Sequence, residues 1–341
     1  MRSLVHASRN GEGPGARRTG PFFHRAGRCA RYATALFDRR LVGSVFGGYR
    51  LEGVVGQGRF ATCFAARPLD ARGDERGRGA GRAVAAGPDS ARVALKLVKP
   101  RAGAIDLEAV WAECASLSML DHPGIPRWRG IVRAARPHRR FGARPMRPSA
   151  ADANGAACGL PARNVQTGAG RSGRKARGGT AYFIVEDLCA GTSLERRLAR
   201  GERFDDAAVA AIAAGLAGIV AHTASRGVVH GDIRPANVLL ADDGAVALVD
   251  FGLARFFDRG LGPDRAALLA ADDLAGLAEV LLFLLYSDPG RIVRRRPGAL
   301  WREELALAHA ARSFLSDLFF DPAAFRSCAD IVRRCAAAFP A

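Results

Sequence analysis

The hexapeptide Val93-Ala94-Leu95-Lys96-Leu97-Val98 sets a lysine in the middle of an apolar run. Such a run reads as a buried strand, and an ammonium inside it is costly unless a carboxylate meets it. The chain must therefore bring an acid-bearing element against this strand. Positions 107–120 have helical spacing, with Leu107, Val110, Trp111, Cys114, Leu117 and Leu120 near one face, and carry Glu113 as a plausible partner. Lysine is otherwise scarce: Lys96, Lys99 and Lys175 are the lysines among 51 basic residues. A position that stays Lys in an Arg-dominated chain asks for a compact ammonium rather than a planar fork.

The surroundings fix a fold class. Tyr49 to Val55 and Phe60 to Ala66 read as two strands around a Gly-containing turn, Val93–Val98 as a third, Trp128 to Val132 as a fourth and Tyr182 to Glu186 as a fifth. Beyond that the pattern turns helical, at 194–199, 207–225, 272–286, 301–319 and 327–337, with short strands at 238–240 and 247–249. Five strands with one main helix, followed by a mainly helical half, predict an α+β, two-lobed chain. The expected division is 1–46 as a basic segment without periodicity, 47–187 as the strand lobe interrupted by Gly/Arg-rich insertions at 67–92 and 133–179, and 188–341 as the helical lobe.

The net charge of +18 is concentrated in those interruptions. Segment 1–47 holds nine Arg against two acids, 67–92 six Arg against four acids, and 133–179 eleven Lys/Arg against one acid. The remainder is nearly neutral. Segments 1–46 and 133–179 are thus candidates to attract nucleic acid or an acidic partner, against the plainer reading of solvated tails in an Arg-biased composition. Seven scattered Cys without C-x-x-C spacing argue for a reducing compartment, expected to be the cytoplasm, and against zinc. No apolar run reaches the roughly 18 to 20 residues of a membrane helix, so no integral membrane segment is expected.

Four short motifs follow in order. In Gly56-Gln57-Gly58-Arg59-Phe60-Ala61, two glycines in a strand–turn–strand let backbone approach phosphates. Lys96 comes next. In Val229-His230-Gly231-Asp232-Ile233-Arg234-Pro235-Ala236-Asn237, an Asp and an Asn five residues apart can face one site. There the Asp can accept a hydroxyl proton, the Asn amide oxygen can hold a metal, and Arg234 can neutralise phosphoryl charge. Asp250-Phe251-Gly252 closes the series with a carboxylate at a strand end, suited to Mg²⁺.

Together these residues resemble the eukaryotic-like (Hanks-type) Ser/Thr protein kinase family. The likeness covers about 47–335. It extends to Asp121-His122-Pro123-Gly124-Ile125-Pro126, to a hinge at Val185-Glu186-Asp187-Leu188 with Val185 as gatekeeper, to Asp273, and to Asp321-Pro322 through Arg326-Ser327. The interval from Glu113 to His122 marks Glu113, rather than Glu108, as the partner of Lys96. The resemblance implies a protein kinase using ATP and Mg²⁺. Val55, Ala94 and Leu239 would sandwich adenine beneath the Gly56/Gly58 loop, and backbone groups of Glu186 and Leu188 would bond its edge. Lys96 would hold the α/β-phosphates, Asp232 would be the base, and Asn237 and Asp250 would hold the metal.

The chain also departs from the family. Ala61 replaces a glycine, Gly231 stands where an Arg reads an activation-loop phosphate, and Arg234 replaces a Lys. Residues 253–272 contain no Ser, Thr or Tyr, so activity is expected not to depend on phosphorylation there. Pro235 fits Ser/Thr rather than Tyr substrates. The interval from Asp250 to Asp273 is short, with Gly262-Pro263-Asp264 as a remnant that would pair with Arg326. Two alternatives stand beside the protein kinase reading: a small-molecule phosphotransferase of the aminoglycoside or choline kinase type, favoured by His230-Gly231-Asp232 and the short segment, and a pseudokinase scaffold.

Overall fold

A computed structural model of the chain describes residues 38–58, 61–69, 92–99, 107–135, 180–257, 271–293 and 300–340. Contacts divide the chain at position 41. In the first unit, Asp38–Leu41 forms a turn closed by the Leu41 N–H on the Asp38 carbonyl at 3.0 Å. Everything below concerns the second unit, 42–341.

Its first half is an antiparallel sheet built from β1 (Val45–Phe46), β2 (Tyr49–Gln57), β3 (Ala61–Pro68), β4 (Val93–Val98), β5 (Trp128–Ala135) and β6 (Thr180–Asp187), in the order β1-β2-β3-β4-β6-β5. The sheet thus has one strand more than expected. β1 is two residues long, too short for a periodic signal, and exists because Gly47 and Gly48, both at positive φ, fold Phe46 back onto Tyr49. It lies inside the segment 1–46 that composition set apart. α1 (Leu107–Ser118) packs on the sheet through Val110 and Cys114 against Ile184.

Cross-strand pairs point to the same face of a sheet, so the register sorts the residues. Cys63 pairs with Lys96, and Lys96 with Ile184; Ala94 pairs with Glu186, and Glu186 with Trp128. These share the face that carries α1. Phe64, Leu95, Phe183 and Val185 fall on the other face and are fully buried there.

The second half is helical: α2 (Leu194–Ala199), α3 (Asp206–Ser225), α4 (Ala271–Tyr286), α5 (Trp301–Glu304), α6 (His309–Phe320) and α7 (Cys328–Ala338). Asp205 caps α3 by accepting the Ala208 N–H at 2.8 Å, and Ser327 caps α7 at Asp330. α3 is by length and composition apolar enough to cross a membrane. It is instead the packed centre of this half, with Ile212, Leu216 and Val220 buried against Leu277, Leu281 and Phe314. The helix expected over 301–319 is two: Leu305, buried in the core, ends α5 in extended backbone and bridges to Ile292. Two small ladders finish this half, β7 (Thr192–Ser193) with β9 (Val238–Leu240) and β10 (Val246–Leu248), and β8 (Val228–Val229) with β11 (Arg255–Phe256). They hold the loops 230–237 and 249–254 side by side. Most of 67–92 and 133–179, the tripeptide 262–264, and Arg59 and Phe60 lie outside the described residues.

Candidate active site

β4 and α1 bring Lys96 and Glu113 together as the sequence requires. The Lys96 Nζ stands 2.5 Å from Glu113 Oε1 and also pairs with Asp250 Oδ1. Lys96 and Glu113 are 6% and 5% exposed. Burial alone would lower the Lys96 pKa, but the carboxylates of Glu113 and Asp250 override it and hold the ammonium well above its ordinary range. Burial likewise works to raise the Asp250 carboxyl, and Lys96 reverses this, leaving it below its usual value. Lys96 thus joins the sheet to the helical half through a charge pair that stays ionised at neutral pH.

Asp250 has φ +70, the one non-glycine residue at positive φ among the described residues. Such a conformation marks a functional constraint more often than an accident. It turns the carboxylate toward Lys96 while Phe251, 1% exposed, drops into the helical core. Gly252 leaves room for these groups to approach closely. A Cβ there would lie 3.3 Å from Asp250 Oδ1, 3.4 Å from Lys96 Nζ and 3.5 Å from Glu113 Oε2.

The loop between β8 and β9 is held by its backbone. Asp273, buried near the start of α4, accepts the His230 N–H at 2.7 Å on Oδ2 and the Gly231 N–H at 2.8 Å on Oδ1. His230 is fully buried. Its Nε2 donates to the Val249 carbonyl at 3.2 Å while Nδ1 accepts the Asp232 N–H at 3.2 Å, an assignment that needs the neutral tautomer. Burial pushes its pKa down to about 4, in keeping with neutrality. Asp232 therefore sits on a fixed backbone with its side chain partly exposed. The Asn237 Nδ2 donates to the Asp232 carbonyl at 2.8 Å and to Asp232 Oδ2 at 2.9 Å, which turns Asn237 Oδ1 away as the end open to a cation. The Arg234 Nε lies 3.8 Å from Asp232 Oδ2. The Val249 N–H donates to the Asn237 carbonyl at 2.9 Å, tying this loop to the segment between β10 and Asp250.

Gly231, where an Arg was expected by resemblance, has φ +77, and a Cβ there would come 2.9 Å from the Leu253 carbonyl oxygen. Backbone conformation and space both exclude a side chain.

Gly56 and Gly58 lie at the β2–β3 turn, where the Gly58 N–H donates to the Ala61 carbonyl at 2.9 Å. Val55 precedes them and is substantially exposed, Ala94 is buried on β4, and Leu239 sits half-buried on β9. Leu188 follows the end of β6. Two features of this region differ from the sequence expectation. Val185 pairs with Leu95 on the face away from Lys96, so it does not face the site; Glu186 takes that place opposite Ala94. Cys63 also lies on the site face, paired with Lys96, and went unnoticed because a thiol in an apolar strand carries no signal. Burial raises the Cys63 thiol pKa, so it behaves as an apolar wall rather than a nucleophile.

Among the described residues no cluster of three or more His, Cys, Asp and Glu side chains forms a metal site by itself. Asn237 Oδ1 and the Asp250 carboxylate are hard oxygen donors, and they fit a cation that keeps water and phosphate oxygens as its remaining ligands, as Mg²⁺ does.

A six-stranded sheet with one helix over a helical half, with these groups at the junction, defines a phosphotransferase-like class of two-lobed protein. The protein kinase domain family's profile matches residues 49–267, and the chain belongs to that family. It is similar to the serine/threonine-protein kinase PkaB of Streptomyces coelicolor, 32% identical over 186 residues that cover 41% of this chain and 45% of that one. It is similar to PknL, a serine/threonine-protein kinase of Mycobacterium tuberculosis, at 41% over 75 residues, 22% of this chain and 18% of the relative. A third relative is CBL-interacting protein kinase 22 of Oryza sativa, at 41% over 80 residues, 23% of this chain and 18% of the relative. The chain spans less than half the length of each of these relatives.

Proposed function

We propose that this chain transfers the γ-phosphoryl group of Mg-ATP to Ser or Thr hydroxyls of protein substrates. The observation that carries the reading is the arrangement of four groups around one cleft: the Lys96 ammonium, the Asp250 carboxylate, and the Asp232 and Asn237 side chains. In this reading Lys96 binds phosphate oxygens, held by Glu113. Asp232 orients the acceptor hydroxyl and takes its proton. Arg234 neutralises developing charge beside it. Asn237 and Asp250 hold Mg²⁺, which draws charge from the phosphates. Val55, Ala94 and Leu239 flank the base. The Asp187 N–H donates to the Arg127 carbonyl at 2.9 Å, which turns the Glu186 carbonyl the other way, and backbone groups of Glu186 and Leu188 bond the base edge.

Retention of every one of these charged groups supports an active enzyme over a scaffold. Pro235 and the names of the relatives support Ser/Thr acceptors over small alcohols. The five described cysteines are free thiols, which supports a reducing, cytoplasmic setting. The basic segments 1–46 and 133–179 are proposed to recruit nucleic acid or an acidic partner, with binding that weakens steeply with salt.

The test is transfer of label from γ-labelled ATP to casein or myelin basic protein by the wild type, Lys96→Met and Asp232→Asn. Labelling by the wild type and its loss in both folded variants is the expected result. Transfer to choline or an aminoglycoside but not to protein would move the assignment to the small-molecule class, and nucleotide binding without any transfer would make the chain a pseudokinase.

A further inference from the structure

Arg255 is a cation at a place where several segments meet. It lies on β11, opposite Val229 of β8, the residue before His230. Its guanidinium pairs with the Asp272 carboxylate in the first turn of α4. A Cβ at Gly231 would lie 3.9 Å from the Arg255 Nε, so the guanidinium passes close to the loop that carries Asp232. Asp273, the neighbour of Asp272, fixes the His230 and Gly231 N–H groups of that same loop. β11 also lies against α1, the helix that carries Glu113. The ion pair therefore ties the stretch after Asp250 to the start of α4, beside the Asp232 loop and next to the helix that holds Lys96.

Little else fixes this stretch. β11 is two residues long, and none of the side chains at 255–257 is buried. Beyond its ladder to β8, the Phe257 N–H donates to the Gly227 carbonyl at 2.9 Å. A two-residue ladder with no buried face is marginal on its own. The side chains of Arg255 and Asp272 are 59% and 66% exposed, so their pair adds little to global stability. A pair of this kind shifts a local equilibrium by about fivefold at most. That is too little to hold a fold together, and enough to decide where a short, poorly buried strand spends its time. The chain supplies the anion itself: Gly231 brings no second cation here, and residues 253–272 carry no hydroxyl side chain that could bear a phosphate.

Resting on the phosphoryl-transfer reading above, we propose that Arg255 and Asp272 are positioning residues, an internal ion pair that holds β11 against α1 and the Asp232 loop in place of an added phosphate. With the pair made, β11 stays beside α1, and the stretch that follows Asp250 keeps its place relative to Asp232. With the pair broken, β11 is free to leave, and the groups that act on the acceptor and the metal lose their fixed spacing. Val55, Ala94 and Leu239 lie on other strands and are untouched, so the effect falls on turnover and spares nucleotide affinity.

The experiment compares the full wild-type chain with Arg255→Met, Asp272→Asn, the double variant and Arg255→Lys. Amide hydrogen exchange at 255–257 is followed without substrate, and kcat and KM for ATP are measured with casein as acceptor. Each neutral single variant should exchange the Phe257 amide about two- to fivefold faster and lose kcat by a similar factor, with Tm nearly unchanged and KM for ATP within about twofold. The double variant should be no worse than either single one, because the same pair is lost only once. Arg255→Lys keeps the charge and should recover about half of the lost kcat or more. Unchanged exchange in the single variants, or losses that multiply in the double variant, would overturn the inference. A folded wild type without transfer activity would strike the phosphoryl-transfer reading, and the exchange data would still decide whether the ion pair holds β11.

Discussion

The imidazole of the fully buried His230 donates to the carbonyl of Val249 at 3.2 Å, and so couples the residue two before Asp232 to the residue just before Asp250. One neutral ring sets the spacing between the proposed base and the proposed metal ligand. Its pKa is pushed down to about 4 by burial. An unfolded chain would bind a proton at about 6.5, so between these values the unfolded state holds more protons than the folded one. Stability from this group is full above about pH 6.5 and is lost as pH falls toward 4, on the order of 3 kcal/mol in all. Asp273, raised to about 6 chiefly by burial, runs the other way. Comparing wild type with His230→Asn isolates the histidine: the variant's Tm should fall less between pH 6.5 and 4. A parallel decline in both would show that His230 is not the group responsible.

Asp273 spends both carboxylate oxygens on the backbone of the loop that carries Asp232. Asp273→Asn must turn an amide N–H₂ toward one of two N–H donors. We expect a loss of about 2 kcal/mol in stability, the cost of a buried unsatisfied donor. Phosphoryl transfer should drop through kcat, with KM for ATP changed little. Urea unfolding and steady-state kinetics on the same preparation provide the check.

Lys96 offers a test of what the buried pair contributes. Removing one partner leaves an uncompensated charge, so Lys96→Met alone should cost about 3 to 5 kcal/mol. The double variant Lys96→Met with Glu113→Leu replaces the pair by apolar groups and should recover much of that. Activity should stay absent in both. A double variant as unstable as the single one would mean that Asp250, left without the ammonium, dominates the cost.

Gly231→Arg restores the residue common in the family, and here it should harm. A non-glycine residue at φ +77 costs about 1 to 2 kcal/mol, and the clash with the Leu253 carbonyl adds to it. We expect destabilisation of at least about 2 kcal/mol and lower activity, read by thermal melts and label transfer. Because 253–272 has no hydroxyl side chain, phosphatase treatment of the wild type should leave its rate unchanged. A large rate loss on dephosphorylation would place control at a phosphosite elsewhere in the chain.

Much of this arrangement was legible before the fold was known. Val93–Val98 was read to the residue, since a compact apolar run bounded by Gly/Arg-rich sequence leaves little choice. Lys96 demanded an acid, and Glu113 meets it from the helix, joined by Asp250 from the other half. The loop 230–237 and Asp250 followed from residue types that make little sense apart. What failed was register. Ala181 to Val185 is apolar throughout, so nothing in its pattern says which side chains face the cleft. A one-residue slip exchanges Val185 for Glu186, and only the pairing with Ala94 resolves it. The two-residue strands were missed because they owe their existence to turns and neighbours, not to propensity. Cys63 was passed over for want of a partner residue that would flag it.

The two long basic interruptions each join strands that lie side by side: β3 to β4, and β5 to β6. Their roots sit at opposite ends of the sheet, since Ala66 and Val93 flank the Asp187 end of β6 whereas Ala135 and Thr180 lie at its start. A hairpin joint tolerates growth, because lengthening it adds only a slowly rising closure entropy and leaves the ladder intact. Cutting both interruptions back to tight turns would yield a trimmed body, relieved of most of its positive charge and with the sheet pairing unaltered. The two interruptions are therefore open to exchange by evolution or by the bench without rewriting the sheet beneath.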